Sequence, residues 1–257
     1  MRACPPLLAE ADGRAELPRL GGMARPDGVV IVSERYWAFA GRDGNIREGV
    51  MPKTRLERIP LLRGLVKLAA ALSPVFRRSG VARRRERRLL LALVMAPLGF
   101  VLLPAAVTWA AWAVLTLALV LWLFRGGTLR LHGAEHRAIA AAEERRLAAT
   151  WSGSVRPSRF AARCGTNFAA LVVPVTLVAD SFWPFAPAVY TPALVTMLSL
   201  ALTMELWRAV QSSRARIARV FLLPGLALQR LTTREPSLED TRLALAAVAA
   251  VLRRELN

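Results

Sequence analysis

LLLALVMAPLGFVLLPAAVTWAAWAVLTLALVLWLF, residues 89–124, decides the fold expected of this chain, because it holds no charged side chain and is interrupted by Pro97, Gly99 and Pro104. One helix of that length would far exceed the roughly 20 residues that cross a bilayer, whereas two spans of roughly 17 with a turn at residues 98–104 fit. The run therefore predicts a transmembrane helical hairpin. A second apolar run, 168–207, has Asp180 and Glu205 as its charged residues and SFWPFAP at 181–187 as a turn. It predicts a second hairpin, and with it four spans.

Charge is segregated around these runs. The chain of 257 residues has 36 Lys+Arg against 18 Asp+Glu, a net charge of +18, yet 89–124 and 168–207 hold no basic residue. The excess lies in 61–88, 125–167 and 208–257, so the bias of basic residues toward the cytoplasm puts those segments and both termini there. A nucleic-acid module would gather its basic groups on one folded face, which this distribution argues against. At 54% hydrophobic residues and a mean hydropathy of +0.36, the chain is too apolar for an ordinary soluble domain. The competing reading is a soluble protein with two buried helical hairpins. Cys4 and Cys164 make no disulfide framework and read as reduced thiols, and the N-terminus lacks the apolar core of a secretory leader.

The fold expected is a mainly α polytopic membrane protein of two transmembrane helical hairpins, with cytoplasmic helices and a short N-terminal β-hairpin. Residues 1–20 read as a flexible tail. In 21–58, GVVIVSERYWAFAGRDGNIREGV (28–50) places a β-branched and aromatic run before an Arg-Asp-Gly-Asn turn, a hairpin signal. In 59–88, Arg63 and Lys67 stand one turn apart on an otherwise apolar helix suited to a membrane interface. The run RRSGVARRRERR (77–88) suits anionic lipid headgroups, or else a binding patch for protein or RNA. In 208–257, Ser237 and Asp240 resemble a capping box opening an amphipathic helix.

The histidines of the chain, His132 and His136, stand four apart in HGAEH at 132–136, inside the segment 125–167. On a helix they share a face with Glu135, and H-x-x-E-H is the inverted zincin order: imidazoles to bind a divalent metal, zinc above all, and a carboxylate to act as base. The alternative is a solvated or structural histidine pair. Two histidines do not complete a metal site. Cys164 and Glu205 both fall near the cytoplasmic ends of predicted spans and are the candidates for further ligands. Cys164 reads equally as a packed small residue, and Glu205 as a partner of Arg208 or Trp207. Glu143 follows on the face of His136, and Asp180 belongs to the far turn.

GGMARPDGV (21–29), IPLLRG (59–64), HGAEHRAI (132–139), RCGTNF (163–168), ELWR (205–208) and PGLALQRLTTREP (224–236) together resemble a bacterial membrane family of unknown function, the YqhQ-like proteins (domain of unknown function 1385). The resemblance implies a multi-span protein of the cytoplasmic membrane with a cytoplasmic HGAEH metal site, described as a predicted metal-dependent enzyme without an established substrate. The family commonly reads His-Pro-Arg-Cys where this chain has Ala161-Ala162-Arg163-Cys164, so Ala161 replaces a family histidine, and if that histidine is a ligand the site of this chain is weakened or rearranged. Arg25-Pro26-Asp27 also departs from the family's apolar residues and Glu. Thr232, Thr233 and Glu235 read first as a polar structural turn before the capped helix, and Gln229, Thr233 and Glu235 otherwise as groups that orient the ligands.

Two functions follow as expectations. One is a zinc-dependent hydrolase at the cytoplasmic membrane face, with His132 and His136 as ligands, Glu205 or Cys164 completing the site, and Glu135 as base. The other is a non-catalytic membrane protein with a structural metal or none, docking a protein partner on its Arg-rich cytoplasmic surface. A small transporter is disfavoured by the few polar groups in the apolar runs.

Overall fold

The computed structural model describes residues 4–53, 59–100, 103–123, 127–186, 188, 190–213 and 215–256. Helix α1 (Cys4–Asp12) precedes strands β1 (Gly21–Arg25), β2 (Gly28–Val32), β3 (Tyr36–Gly41) and β4 (Ile46–Val50). Helices α2 (Leu62–Phe76), α3 (Arg84–Phe100), α4 (Ala105–Leu123), α5 (Thr128–Glu143), α6 (Leu147–Ser152), α7 (Gly165–Ser181) and α8 (Thr191–Ser212) follow. A 3-10 turn (Arg216–Leu222), α9 (Leu223–Thr232) and α10 (Leu238–Leu256) complete the chain.

The strands form a four-stranded antiparallel meander, β1-β2-β3-β4, rather than one hairpin. Two features account for it. Ser33-Glu34-Arg35 turns the chain inside what reads as a continuous strand, with the Ser33 amide donating to the Tyr36 carbonyl at 2.8 Å, so Val32 faces Trp37. Pro26-Asp27 then closes a turn that adds β1, where Arg25 lies opposite Gly28. The expected Arg-Asp-Gly-Asn turn links β3 to β4, and the Asp43 carboxylate accepts from the Asn45 amide at 3.1 Å.

Helix α10 is the core element. It packs on β2, β3 and α5, and Leu245, Val248 and Leu252 are fully buried, each contributing about 1.5–3 kcal/mol. Alanines at 244, 246, 247 and 249 on α10, and at 134, 138 and 141 on α5, leave little side chain between the backbones, so helix and sheet approach closely. Ser237 opens α10: its hydroxyl accepts from the Asp240 amide at 3.0 Å, and the Asp240 carboxylate takes the Ser237 amide at 3.4 Å. Within the stretch expected to be a flexible tail, α1 instead inserts Leu8 and Ala11 into this core, both fully buried.

The expectation of four spans in two hairpins is corrected. Among the described residues one helix, α8, is long and apolar enough to cross a membrane, with 28% of its apolar window buried inside the protein. An apolar run does not set helix ends; caps, prolines and flanking charges do. Helix α3 begins at Arg84 and spends its first turns on RRERR, while α7 is 17 residues with Pro174 inside it. The turn expected at 98–104 includes residues 101 and 102, and that at 181–187 includes residue 187, outside the described residues. The fold is mainly helical with an N-terminal antiparallel sheet. Helix α7 packs on α8 and α9, and α2 packs on α8.

Candidate metal centre

Helix α5 carries His132, Glu135 and His136 on one face. On another face a Cβ at residue 133 would overlap the Arg234 carbonyl oxygen. Glycine there lets the segment after α9 lie directly on α5, where the Arg234 amide donates to the Leu129 carbonyl at 2.9 Å. That approach brings the Thr232 carbonyl oxygen to 2.8 Å from His132 Nδ1. On the next turn His136 Nδ1 is 2.7 Å from the Arg159 carbonyl oxygen. Each ring nitrogen facing a carbonyl must be the N–H donor, so each Nε2 keeps its lone pair. Burial lowers the His132 pKa despite the Thr232 carbonyl. Burial, and then the neighbouring His132, push His136 down to about 4, so both rings are neutral near pH 7.

Cys164 caps the N-terminus of α7 and receives the Thr166 amide at 3.4 Å and the Thr166 hydroxyl at 3.2 Å. Its Sγ lies 3.3 Å from His132 Nε2. Burial pushes the thiol up to about 11. One ligand atom from each of His132, His136 and Cys164 falls within 4.8 Å of the others, the three forming a group able to hold a metal ion. His136 Nε2 is buried without a hydrogen-bond partner. A buried imidazole lone pair left bare costs about 1–3 kcal/mol, which a metal ion at that position would offset. Neutral imidazoles beside a sulfur suit zinc's preference for nitrogen and sulfur donors.

Glu135 lines the same cavity of about 530 Å³, with Gly21, Gly22, Thr128, Phe160 and Ala161 among its other walls. It is 5% exposed, and burial raises its pKa to about 8. A Cβ at residue 22 would stand 2.9 Å from both Glu135 Cγ and Oε1 and 2.8 Å from the Val30 carbonyl oxygen. Strand β1 therefore reaches the carboxylate only because Gly22 has no side chain. Sequence reasoning did not place β1 at this site; the Gly21-Gly22 pair is the signal that could have marked the wall.

Glu205 is elsewhere. Its carboxylate accepts from Arg63 Nε at 2.7 Å and from the Leu61 amide at 3.2 Å, an arrangement set by the packing of α2 on α8. It is not among the residues grouped around His132. Glu143 lies at the cavity wall and pairs with Arg163 at 3.0 Å, while Asp180 is exposed near the end of α7. Gln229 Nε2 donates to the Ala161 carbonyl at 2.8 Å and its Oε1 accepts the Ala161 amide at 3.0 Å, clamping the position where the resembled family has histidine. The Thr233 hydroxyl donates to the Gln229 carbonyl at 2.6 Å. Glu235 accepts from Arg137, whose Nε also donates to the Pro157 carbonyl at 3.0 Å and so braces the irregular segment that carries Arg159. Arg137 was not foreseen; its place directly after HGAEH is the only trace in the sequence.

A family model described as a protein of unknown function, DUF1385, matches residues 126–254, a stretch that includes α5, Cys164, α9 and α10. No curated protein and no solved structure matches the chain.

Proposed function

The chain belongs to the DUF1385 family of proteins of unknown function, and we propose that it is a zinc-dependent hydrolase whose centre is held by His132, His136 and Cys164. The observation that carries this reading is the bare, buried Nε2 of His136, aimed with two other donors within 4.8 Å while both Nδ1 atoms are committed to carbonyls. A divalent ion bound there supplies Lewis acidity toward a polar substrate bond. The chain's own residues do the rest. Thr232 and Arg159 carbonyls fix the imidazole tautomers. Cys164, whose thiol burial holds up to about 11, would become an anionic ligand on binding the cation. Glu135, raised to about 8, would beside that charge regain the carboxylate form that takes the proton of water entering the cavity. Three protein donors beside an open cavity favour a catalytic centre over a structural one, which four protein ligands would close.

The proposal sets this centre at the cytoplasmic face of a bacterial inner membrane. Support comes from the packed pair α7 and α8, whose exposed apolar side chains, such as Leu177 and Met197, continue onto Phe182 and Phe185 of the turn between them. The arginines of 77–88 would meet anionic headgroups.

Metal content of the purified chain tests the reading. Wild type is expected to hold stoichiometric zinc and His136→Ala to lose it. Glu135→Gln should retain the metal and lose hydrolysis of a panel of chromogenic ester substrates. Absence of a stoichiometric metal in wild type, before and after zinc loading, would remove the proposal.

A further inference from the structure

Helix α5 ends in an unusual way. The Arg146 amide donates to the Ala141 carbonyl at 2.8 Å and the Arg145 amide to the Ala142 carbonyl at 3.3 Å, the paired bonds of a Schellman motif. The residue in the left-handed position of that motif is ordinarily glycine, yet here it is Arg145, at φ 56°. Arginine is a strained choice there, so its side chain needs an explanation. One guanidinium nitrogen, Nη2, donates to the Ala15 carbonyl at 3.0 Å; the other, Nη1, is buried without a partner.

Arg145 lines a second cavity, of about 330 Å³, together with Arg19 and Arg163. The arginines come from separate segments: the stretch before β1, the end of α5 and the residue before Cys164. Among the described residues Arg19 makes no ion pair, and Arg163 pairs with Glu143, the acidic residue of this cavity. Three positive groups against one negative leave an excess of two, which matches a phosphate monoester at neutral pH, with a charge of about −1.5 to −2. Leu20, Ile139, Glu143 and Arg163 line both this cavity and the one containing His132, Glu135 and His136, so the two are contiguous.

We propose that the smaller cavity is a phosphate-binding subsite in which Arg19, Arg145 and Arg163 hold the phosphoryl group of the substrate, placing its adjoining part at the metal centre. The link to substrate rests on the metal-centre reading; the binding of phosphate does not. Planar guanidinium forks brought to one cavity wall from separate segments suit a tetrahedral oxyanion.

Titration calorimetry of inorganic phosphate into the full-length, chelator-treated protein in detergent tests the subsite without interference from metal. Wild type is expected to show saturable binding, weakened about tenfold or more by Arg145→Gly and by Arg163→Gln. Glycine suits the backbone at 145, so Arg145→Gly should melt no lower than wild type while it loses phosphate. An arginine serving only to tether Ala15 would give the opposite pattern, lower melting with phosphate affinity unchanged. That pattern, or no saturable binding by wild type, overturns the subsite. Vesicles of phosphatidylcholine with and without phosphatidic acid, set against soluble glycerol phosphate, identify the source of the phosphoryl group. Binding to phosphatidic acid that depends on Arg145 assigns a lipid headgroup, and competition by glycerol phosphate alone assigns a soluble ester. His136→Ala, run in parallel, should lose metal and keep phosphate. A wild type that binds phosphate but no metal removes the hydrolase reading and keeps the subsite.

Discussion

His132 Nε2 and Cys164 Sγ lie 3.3 Å apart although 32 positions separate them, one on the second turn of α5 and the other capping α7. The contact joins the family-matched helix that packs on the sheet to the helices around α8. A metal shared by these residues should therefore stabilise the tertiary structure, in proportion to the logarithm of its concentration over the dissociation constant. Cobalt substitution is expected to give thiolate-to-metal charge-transfer absorption in wild type. Cys164→Ser should abolish that band, weaken metal binding and lower the metal-dependent rise in melting temperature. A cobalt spectrum unchanged by Cys164→Ser would exclude the sulfur as a ligand.

Gly133→Ala is expected to damage the site from behind. The new methyl group would overlap the Arg234 carbonyl oxygen, so α5 and the segment 232–236 must separate. Overpacking of this kind costs about 1–3 kcal/mol, and it withdraws the Thr232 carbonyl that orients His132. Thermal denaturation should show a lower melting temperature, and metal titration a lower affinity. An unaffected affinity would mean that the Thr232 carbonyl is not needed to hold the ring.

A methyl group at Gly22 should act through Glu135. Its Cβ would meet both Glu135 Oε1 and the Val30 carbonyl, so Gly22→Ala must shift either the carboxylate or the strand. The stability cost is expected to be partly relieved in a Glu135→Ala background, with a coupling of about 0.5–3 kcal/mol in the double-mutant cycle. Strict additivity of the two changes would show that the strand, not the carboxylate, bears the clash.

The HGAEH group was legible because helical spacing alone brings residues 132, 135 and 136 to one face, and because the chain spends both its histidines there. Cys164 was legible only as one candidate among several, since its approach to His132 depends on how α5, α7 and α9 pack. Glu205 shows where sequence reasoning ran out. Its place near the end of an apolar run says nothing of α2, whose Arg63 lies 142 positions earlier in the chain and holds the carboxylate. The sheet was half visible: the turn at 42–45 has a strong local signature, whereas Ser33-Glu34-Arg35 sits inside a run that reads as one strand. The spans were overcounted because hydrophobicity reports the solvent a residue tolerates, and helix boundaries follow local chemistry such as the charged opening of α3 and the Cys164 cap of α7.

Glu205→Gln separates ion pair from ligand. With the carboxylate bonded to Arg63 and the Leu61 amide, the substitution should leave metal content unchanged. Both side chains reach solvent, so screening keeps the stability loss small. Loss of metal in this variant would return Glu205 to the ligand set.

Membrane association has two separable sources. Helix α8 presents an apolar window with 28% of it buried in the protein, while Arg83, Arg84, Arg85 and Arg88 cluster at the start of α3. Arginines near an anionic surface contribute about 1 kcal/mol each, and salt screens that attraction. An apolar span is indifferent to salt. The full chain is therefore expected to remain in the membrane pellet through washes in high salt and then in alkaline carbonate. Replacing the four arginines by glutamine should leave the pellet fraction unchanged and weaken only the preference for anionic over zwitterionic lipid in reconstituted vesicles. Release by salt alone would make the arginines the whole of the attachment and remove α8 as a span.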